Sequence, residues 1–154
     1  AADPNDGQAL MRFGMMKSRM QRPNEALEPL EKAVEVNPSL LDARAELGFL
    51  LFRGDPASNA GRCVTTMNEI LTSDDRHALA LLYRGQCQFA QGNKQQAEDS
   101  LKSATRVDPS FGNAWLSLGE LYEDQGKKDD ARKAYETAQK LDVPEAGEAL
   151  KRLK

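Results

Sequence analysis

Cys63, Cys87 and His77 are the residues best suited to nucleophilic, redox or acid–base chemistry at neutral pH, and His77 is the one histidine of the chain. A cysteine paired with a histidine would make an activated nucleophile, and clustered cysteines would hold zinc. The spacing supports neither. The two cysteines form no Cys-x-x-Cys, there is no second pair to complete a zinc site, and no histidine stands near either of them. They read as two small buried apolar side chains, with a disulfide in an oxidising compartment as the alternative. His77 falls in a polar connector and reads as a surface residue.

Other signatures of catalysis are absent. There is no Gly-x-Ser-x-Gly elbow, phosphate loop or dinucleotide glycine pattern. Carboxylates such as Glu28, Glu31 and Glu35 sit at the polar positions of amphipathic segments, which are solvated faces. The chain is therefore expected not to be an enzyme and to need no cofactor or metal. Its formal net charge is −3, and no basic stripe is interleaved with aromatics, so nucleic acid is not an expected partner. Hydrophobic residues make up 40% and charged residues 29% of the 154, the balance of a folded, water-facing protein. No apolar run approaches the ~20 residues that cross a bilayer, so direct membrane insertion is not expected. The chain opens at Ala1 without a methionine, which fits a processed product or an excised domain and leaves the compartment open.

The elements that position these residues repeat. Gly14, Gly48, Gly85 and Gly119 follow one another at steps of 34, 37 and 34. Ala26, Ala60, Ala97 and Ala131 keep the same steps, each 12 residues after its glycine. Apolar columns flank them at helical spacing: Leu10, Leu81 and Trp115; Phe13, Leu47 and Leu118; Leu30, Val64, Leu101 and Tyr135. Arg44 and Arg84 interrupt the first two columns. Each unit reads as two helices divided by a turn, at Pro23-Asn24, Gly54-Asp55-Pro56, Gly92-Asn93 and Gly126-Lys127. Asp55 can cap the helix that Pro56 starts, and Asn37-Pro38 and Asp108-Pro109 close the second helices. Glycine inside a helix costs about 1 kcal/mol against alanine, so each must permit close approach, here of its helix to the facing alanine. After Pro144, the residues Ala146, Ala149, Leu150 and Leu153 share one face of a short terminal helix.

This pattern resembles the tetratricopeptide repeat family over about residues 7–145, with the fourth unit the best match and the second the weakest. The second unit has no closing proline, and its connector through Thr72 to His77 is three residues longer than the pattern, which would change the angle between units. The resemblance implies an all-α fold: a right-handed α-solenoid of four helix-turn-helix pairs (about 7–40, 41–77, 78–111 and 112–145) with a capping helix at 145–154, forming one domain over 1–154.

The resemblance also implies a concave inner face, lined by the first helix of each pair, that binds another protein. Carried onto this sequence, the contact positions are Met11, Arg12, Met15 and Arg19; Phe49, Phe52 and Arg53; Leu82, Tyr83, Gln86 and Phe89; and Asn113, Leu116, Glu120, Glu123 and Asp124. Gln8, Ser18, Asp42, Ala45, Glu46, Leu79, Ala90 and Ser117 fall on the same face. Arginines gather toward the start of the groove, apolar residues in its middle and carboxylates at its end. The basic clamp of the family's chaperone-tail binders is missing, because Met11, Met15, Leu79 and Tyr83 stand at its places. The expected role is an interaction module or adaptor holding a peptide, helix or protein surface. The alternatives are an oligomerisation scaffold, with self-association, or a regulatory or substrate-presenting part of a larger protein.

Overall fold

The computed structural model describes residues 6–153, and all the regular structure among them is helical. Four helix pairs succeed one another: α1 (Gly7–Arg19) with α2 (Pro23–Val36), α3 (Leu41–Gly54) with α4 (Pro56–Ser73), α5 (Ala78–Ala90) with α6 (Lys94–Val107), and α7 (Gly112–Asp124) with α8 (Lys128–Lys140). A last helix, α9 (Pro144–Arg152), packs on α8. Lys154, the last residue of the expected capping helix, lies outside the described residues. No described helix is long and apolar enough to cross a membrane.

The helix ends follow their side chains. The Asp6 carboxylate accepts from the backbone N–H groups of Gln8 and Ala9, and that of Asp55 accepts from Ser58 ahead of Pro56. Within three pairs the chain reverses through a left-handed residue: Gln21 (φ 57°), Gly92 (φ 81°) and Gly126 (φ 74°). Pro23 is thus the first residue of α2 and not part of the turn expected there. The second pair reverses through Asp55 alone, with no left-handed residue.

The three connectors between pairs share one turn. The side chains of Asn37, Asp74 and Asp108 each accept from the N–H two residues on, at 2.9–3.1 Å. The connector between α4 and α5 is therefore no longer than the others. The three extra residues extend α4 at its C-terminal end, and with a start one residue earlier relative to its alanine it has 18 residues where α2 and α6 have 14. His77 is not a free surface residue either. Its side chain is 11% exposed, its Nδ1 accepts from the Ala80 N–H to cap α5, and its Nε2 lies 3.0 Å from Asp42 on α3.

The glycine columns set the spacing within pairs. A Cβ on Gly14, Gly85 or Gly119 would lie 2.5–2.7 Å from Leu30, Leu101 or Tyr135, and the paired alanine contributes only its carbonyl, at 3.3 Å, to the first two contacts. The glycine thus makes room for the large residue one turn beyond the alanine rather than for the alanine itself. Gly48 is different. Its Cβ would meet only Thr66 at 3.2 Å and Met67 at 3.4 Å, so the second pair packs more loosely at this level.

Cys63 on α4 and Cys87 on α5 are joined by a disulfide, with Cα atoms 6.2 Å apart and both residues at most 2% exposed. The favoured expectation of two free thiols is corrected. Burial was read rightly, but helices from neighbouring pairs bring the two side chains together 24 residues apart in sequence.

Candidate functional site: the concave face

The first helices, α1, α3, α5 and α7, line an open cavity of about 350 Å³. Its floor is polar and bridged. Glu46, 5% exposed, accepts from the Ser18 hydroxyl on α1 and from the Tyr83 hydroxyl on α5 at 2.5 Å. One carboxylate thereby ties three successive inner helices. Burial and the adjacent Glu46 charge push the Tyr83 phenol well above its ordinary pKa, so it remains a donor. The Tyr83 ring stacks on Phe49, with centroids 4.0 Å apart and planes 4° from parallel.

Further along, Gln86 Nε2 donates to the Ser117 hydroxyl at 2.7 Å. Gln86 Oε1 is buried with no hydrogen-bond partner among the described residues. An amide oxygen left so is costly unless something donates to it. Arg19 and Arg53 line the same cavity and form no ion pair among the described residues. On α7 the cavity reaches Asn113, Leu116 and Glu120, and burial raises the Glu120 pKa above the ordinary carboxylate value.

Of the expected contact residues, Met15, Arg19, Phe49, Arg53, Leu82, Tyr83, Gln86, Asn113, Leu116 and Glu120 thus meet around one cavity. The others do not. Phe52 is buried in the core between α3, α4 and α5, because its helix turns that face away from the groove. Leu82 reaches the cavity with almost no free surface, being 3% exposed and packed into the third pair's core. Phe89 packs against the same core, and Met11 against that of the first pair. Arg12 is exposed outside the cavity.

The acidic trio is split up. Glu123 accepts from the Tyr135 hydroxyl at 2.6 Å and from Arg152 at 3.3 Å, which hold its pKa below the usual range. Asp124 pairs with Lys94 at 2.5 Å. Only Glu120 faces the cavity. Ser18, Glu46 and Ser117, on the expected face but not among the expected contacts, prove central to the floor. A polar residue beside small or apolar neighbours on an inner helix was the sequence signal for them.

Stacked helix pairs around a concave face with unmatched polar groups define a helical-repeat interaction or scaffold module. Models of the tetratricopeptide repeat match residues 7–40, and 64–110, 89–142 and 116–153. The chain belongs to the tetratricopeptide repeat family, whose repeats are in general non-catalytic. The internal stretch that these matches leave out, 41–63, holds the loosely packed Gly48.

Among curated proteins the chain is similar to human tetratricopeptide repeat protein 13, 30% identical over 105 residues, covering 68% of this chain and 12% of that protein. It is also similar to a probable UDP-N-acetylglucosamine–peptide N-acetylglucosaminyltransferase SPINDLY of Hordeum vulgare, 34% identical over 73 residues, 47% of this chain and 8% of that one. The chain therefore spans about a tenth of the length of the curated relatives it matches. Among solved structures, a thermophilic TPR protein of Thermus thermophilus superposes with a TM-score of 0.84 at 23% identity, over 96% of this chain and 80% of that one. YrrB, a TPR protein with an unusual peptide-binding site, superposes at 0.64 and 17% identity, over 97% and 76%. Both likenesses are of fold.

Proposed function

We propose that the concave face binds a segment of another protein and fixes its direction by charge. The observation that supports this reading is the cavity's unmatched set: two arginines without ion pairs and a buried amide oxygen without a donor, beside a stacked aromatic pair. Arg19 and Arg53 offer charge-assisted bonds to a carboxylate, Phe49 and Tyr83 offer an apolar anchor, and Gln86 Oε1 accepts from a backbone N–H. Glu120 offers the opposite charge. Adjacent inner helices lie about 8–10 Å apart, so α3 and α7 are separated by about 16–20 Å. An extended partner at about 3.3 Å per residue then carries its acidic residue some five or six positions from its basic one. The order of those charges permits one orientation and disfavours the reverse.

The experiment is affinity capture with the wild-type chain beside an Arg19→Glu, Arg53→Glu double variant at matched concentration, read by quantitative mass spectrometry. A protein enriched by the wild type and lost with the double variant is the expected result. Equal enrichment by both overturns the groove reading. A second reading, self-association, is favoured by one observation: the large apolar side chains most exposed, Phe13, Met16, Met20 and Val36, all belong to the first pair. It requires a mass that rises with concentration in light scattering and falls back to the monomer with Met16→Glu.

A further inference from the structure

On the side of α5 that faces away from the groove lies a second cavity, of about 410 Å³. Three arginines line it: Arg76 from the connector after α4, Arg84 from α5 and Arg106 from α6. None of the three forms an ion pair among the described residues. Arg84 is the unusual one. Phe13, Leu47 and Leu118, its counterparts in the other three pairs, are all apolar, and Leu47 and Leu118 are partly or wholly buried, so in the third pair a cation stands where the second and fourth pack hydrocarbon.

The rest of the cavity fits that substitution. Arg84 is half-buried, and its fork is held in place: Nε donates to Ser100 Oγ at 3.0 Å and one terminal nitrogen to Asn68 Oδ1 at 3.2 Å. Ser100 in turn donates to Gln88 at 2.7 Å within the core. The other terminal nitrogen makes no hydrogen bond among the described residues. Burial lowers the Arg84 pKa, and no carboxylate forms an ion pair with its guanidinium among the described residues. Arg76 occupies the place that Ser39 and Ser110 take in the other two connectors, held by the same turn. The negative groups nearby are Asp75 on the rim, Asp74 and Asp108 in the turns that end α4 and α6, and the carbonyl ends of those two helices. None of these carboxylates forms an ion pair with Arg76, Arg84 or Arg106, so the three guanidinium groups are left to an added anion.

We propose that Arg76, Arg84 and Arg106 form a binding site for a phosphate group, separate from the concave groove. Guanidinium forks match the tetrahedral oxygens of phosphate and hold them by paired charge-assisted bonds. Leu71, Leu81 and Val107 form the walls and exclude part of the water that would screen the charges. Free inorganic phosphate and a phosphorylated serine present the same group, and either fits the volume.

The test is isothermal titration of the whole chain with inorganic phosphate, and separately with N-acetyl-phosphoserine amide, at constant ionic strength set by chloride. Wild type is expected to bind at least one of them with 1:1 stoichiometry. Arg106→Gln and Arg76→Gln, both at exposed positions, are expected to weaken binding about tenfold or more each while leaving the melting temperature in chloride unchanged. Arg84→Lys, which keeps the charge and loses the fork, is expected to weaken it likewise. Tighter binding of phosphoserine than of phosphate would assign the site to a modified side chain, and equal binding to the free ion. No heat from either probe, or binding unaltered in all three variants, overturns the proposal.

Discussion

At the scale of single residues, the four glycines of one column do unequal work. A methyl on Gly119 would lie 2.5 Å from the ring of Tyr135, which is fully buried and hydrogen-bonded to Glu123, so the ring has little room to move. In an open helix Gly→Ala stabilises by about 1 kcal/mol. Here overpacking costs about 1–3 kcal/mol, so Gly119→Ala is expected to lower the melting temperature, and Gly119→Leu to loosen the fourth pair altogether. Gly48→Ala meets the methyl groups of Thr66, at 3.2 Å, and Met67, at 3.4 Å, both ends of side chains that can shift, and is expected to be near neutral. Thermal melts of the two alanine variants side by side check this. Equal losses would remove the close-approach argument.

Glu98 is a second residue-scale case. It is almost buried and holds Lys102 at 2.6 Å and Lys127 at 3.3 Å. The Lys102 hydrogen bond, then Lys127, keeps its pKa below the ordinary 4.5. A carboxylate whose folded pKa is depressed stabilises the fold above its unfolded value, and loses that contribution as pH falls through the folded one. Stability is therefore expected to be flat above about pH 5 and to fall below it. Glu98→Gln is expected to make the fall shallower in urea melts taken across that range.

At the scale of elements, the second pair departs from the pattern and carries its own reinforcement. It has no left-handed turn residue, its glycine is loosely covered and its second helix is a turn longer. The Cys63–Cys87 bond ties that long helix to α5, at the junction of the second and third pairs. Closing a loop of this length stabilises by about 3 kcal/mol, mainly by restricting the unfolded chain. The Cys63→Ala, Cys87→Ala double variant is expected to lose about 2–4 kcal/mol in denaturant melts while keeping its far-ultraviolet circular dichroism. A variant as stable as wild type would show that helix packing alone holds the junction.

At the scale of the whole molecule, two faces of α5 serve two surfaces. Tyr83 and Gln86 turn to the groove, while Leu81 and Arg84 turn to the arginine-lined cavity. Both surfaces are assembled from successive pairs, so their geometry depends on how those pairs stack. Glu46, joining α1, α3 and α5, and the disulfide, joining α4 and α5, fix that stacking in the middle of the chain. The fourth pair is covered by α9, which with its C-cap buries Ala146, Ala149 and Leu153 and turns Glu145, Glu148, Lys151 and Arg152 to water. Among the described residues no such helix lies over Phe13, Met16 and Met20 of the first pair.

The repeat, the helices and the family were legible in the sequence because they rest on local periodicity. Small residues at steps of 34, 37 and 34, apolar columns three and four apart, and prolines and asparagines at helix ends act within a turn or two of their own place. Most of the inner-face residues were legible for the same reason, since one periodicity decides which way a helix faces. What periodicity cannot give is which side chains from different helices meet. Phe52 fell to the core between α3, α4 and α5, and Glu123 to Tyr135 and Arg152 and Asp124 to Lys94, because their neighbours come from other helices, 12 to 30 residues away for the two carboxylates. The disulfide, the Glu46 bridge and the convergence of Arg76, Arg84 and Arg106 were decided by tertiary structure alone, since each joins residues from different helices or connectors whose distance is set only when the pairs stack.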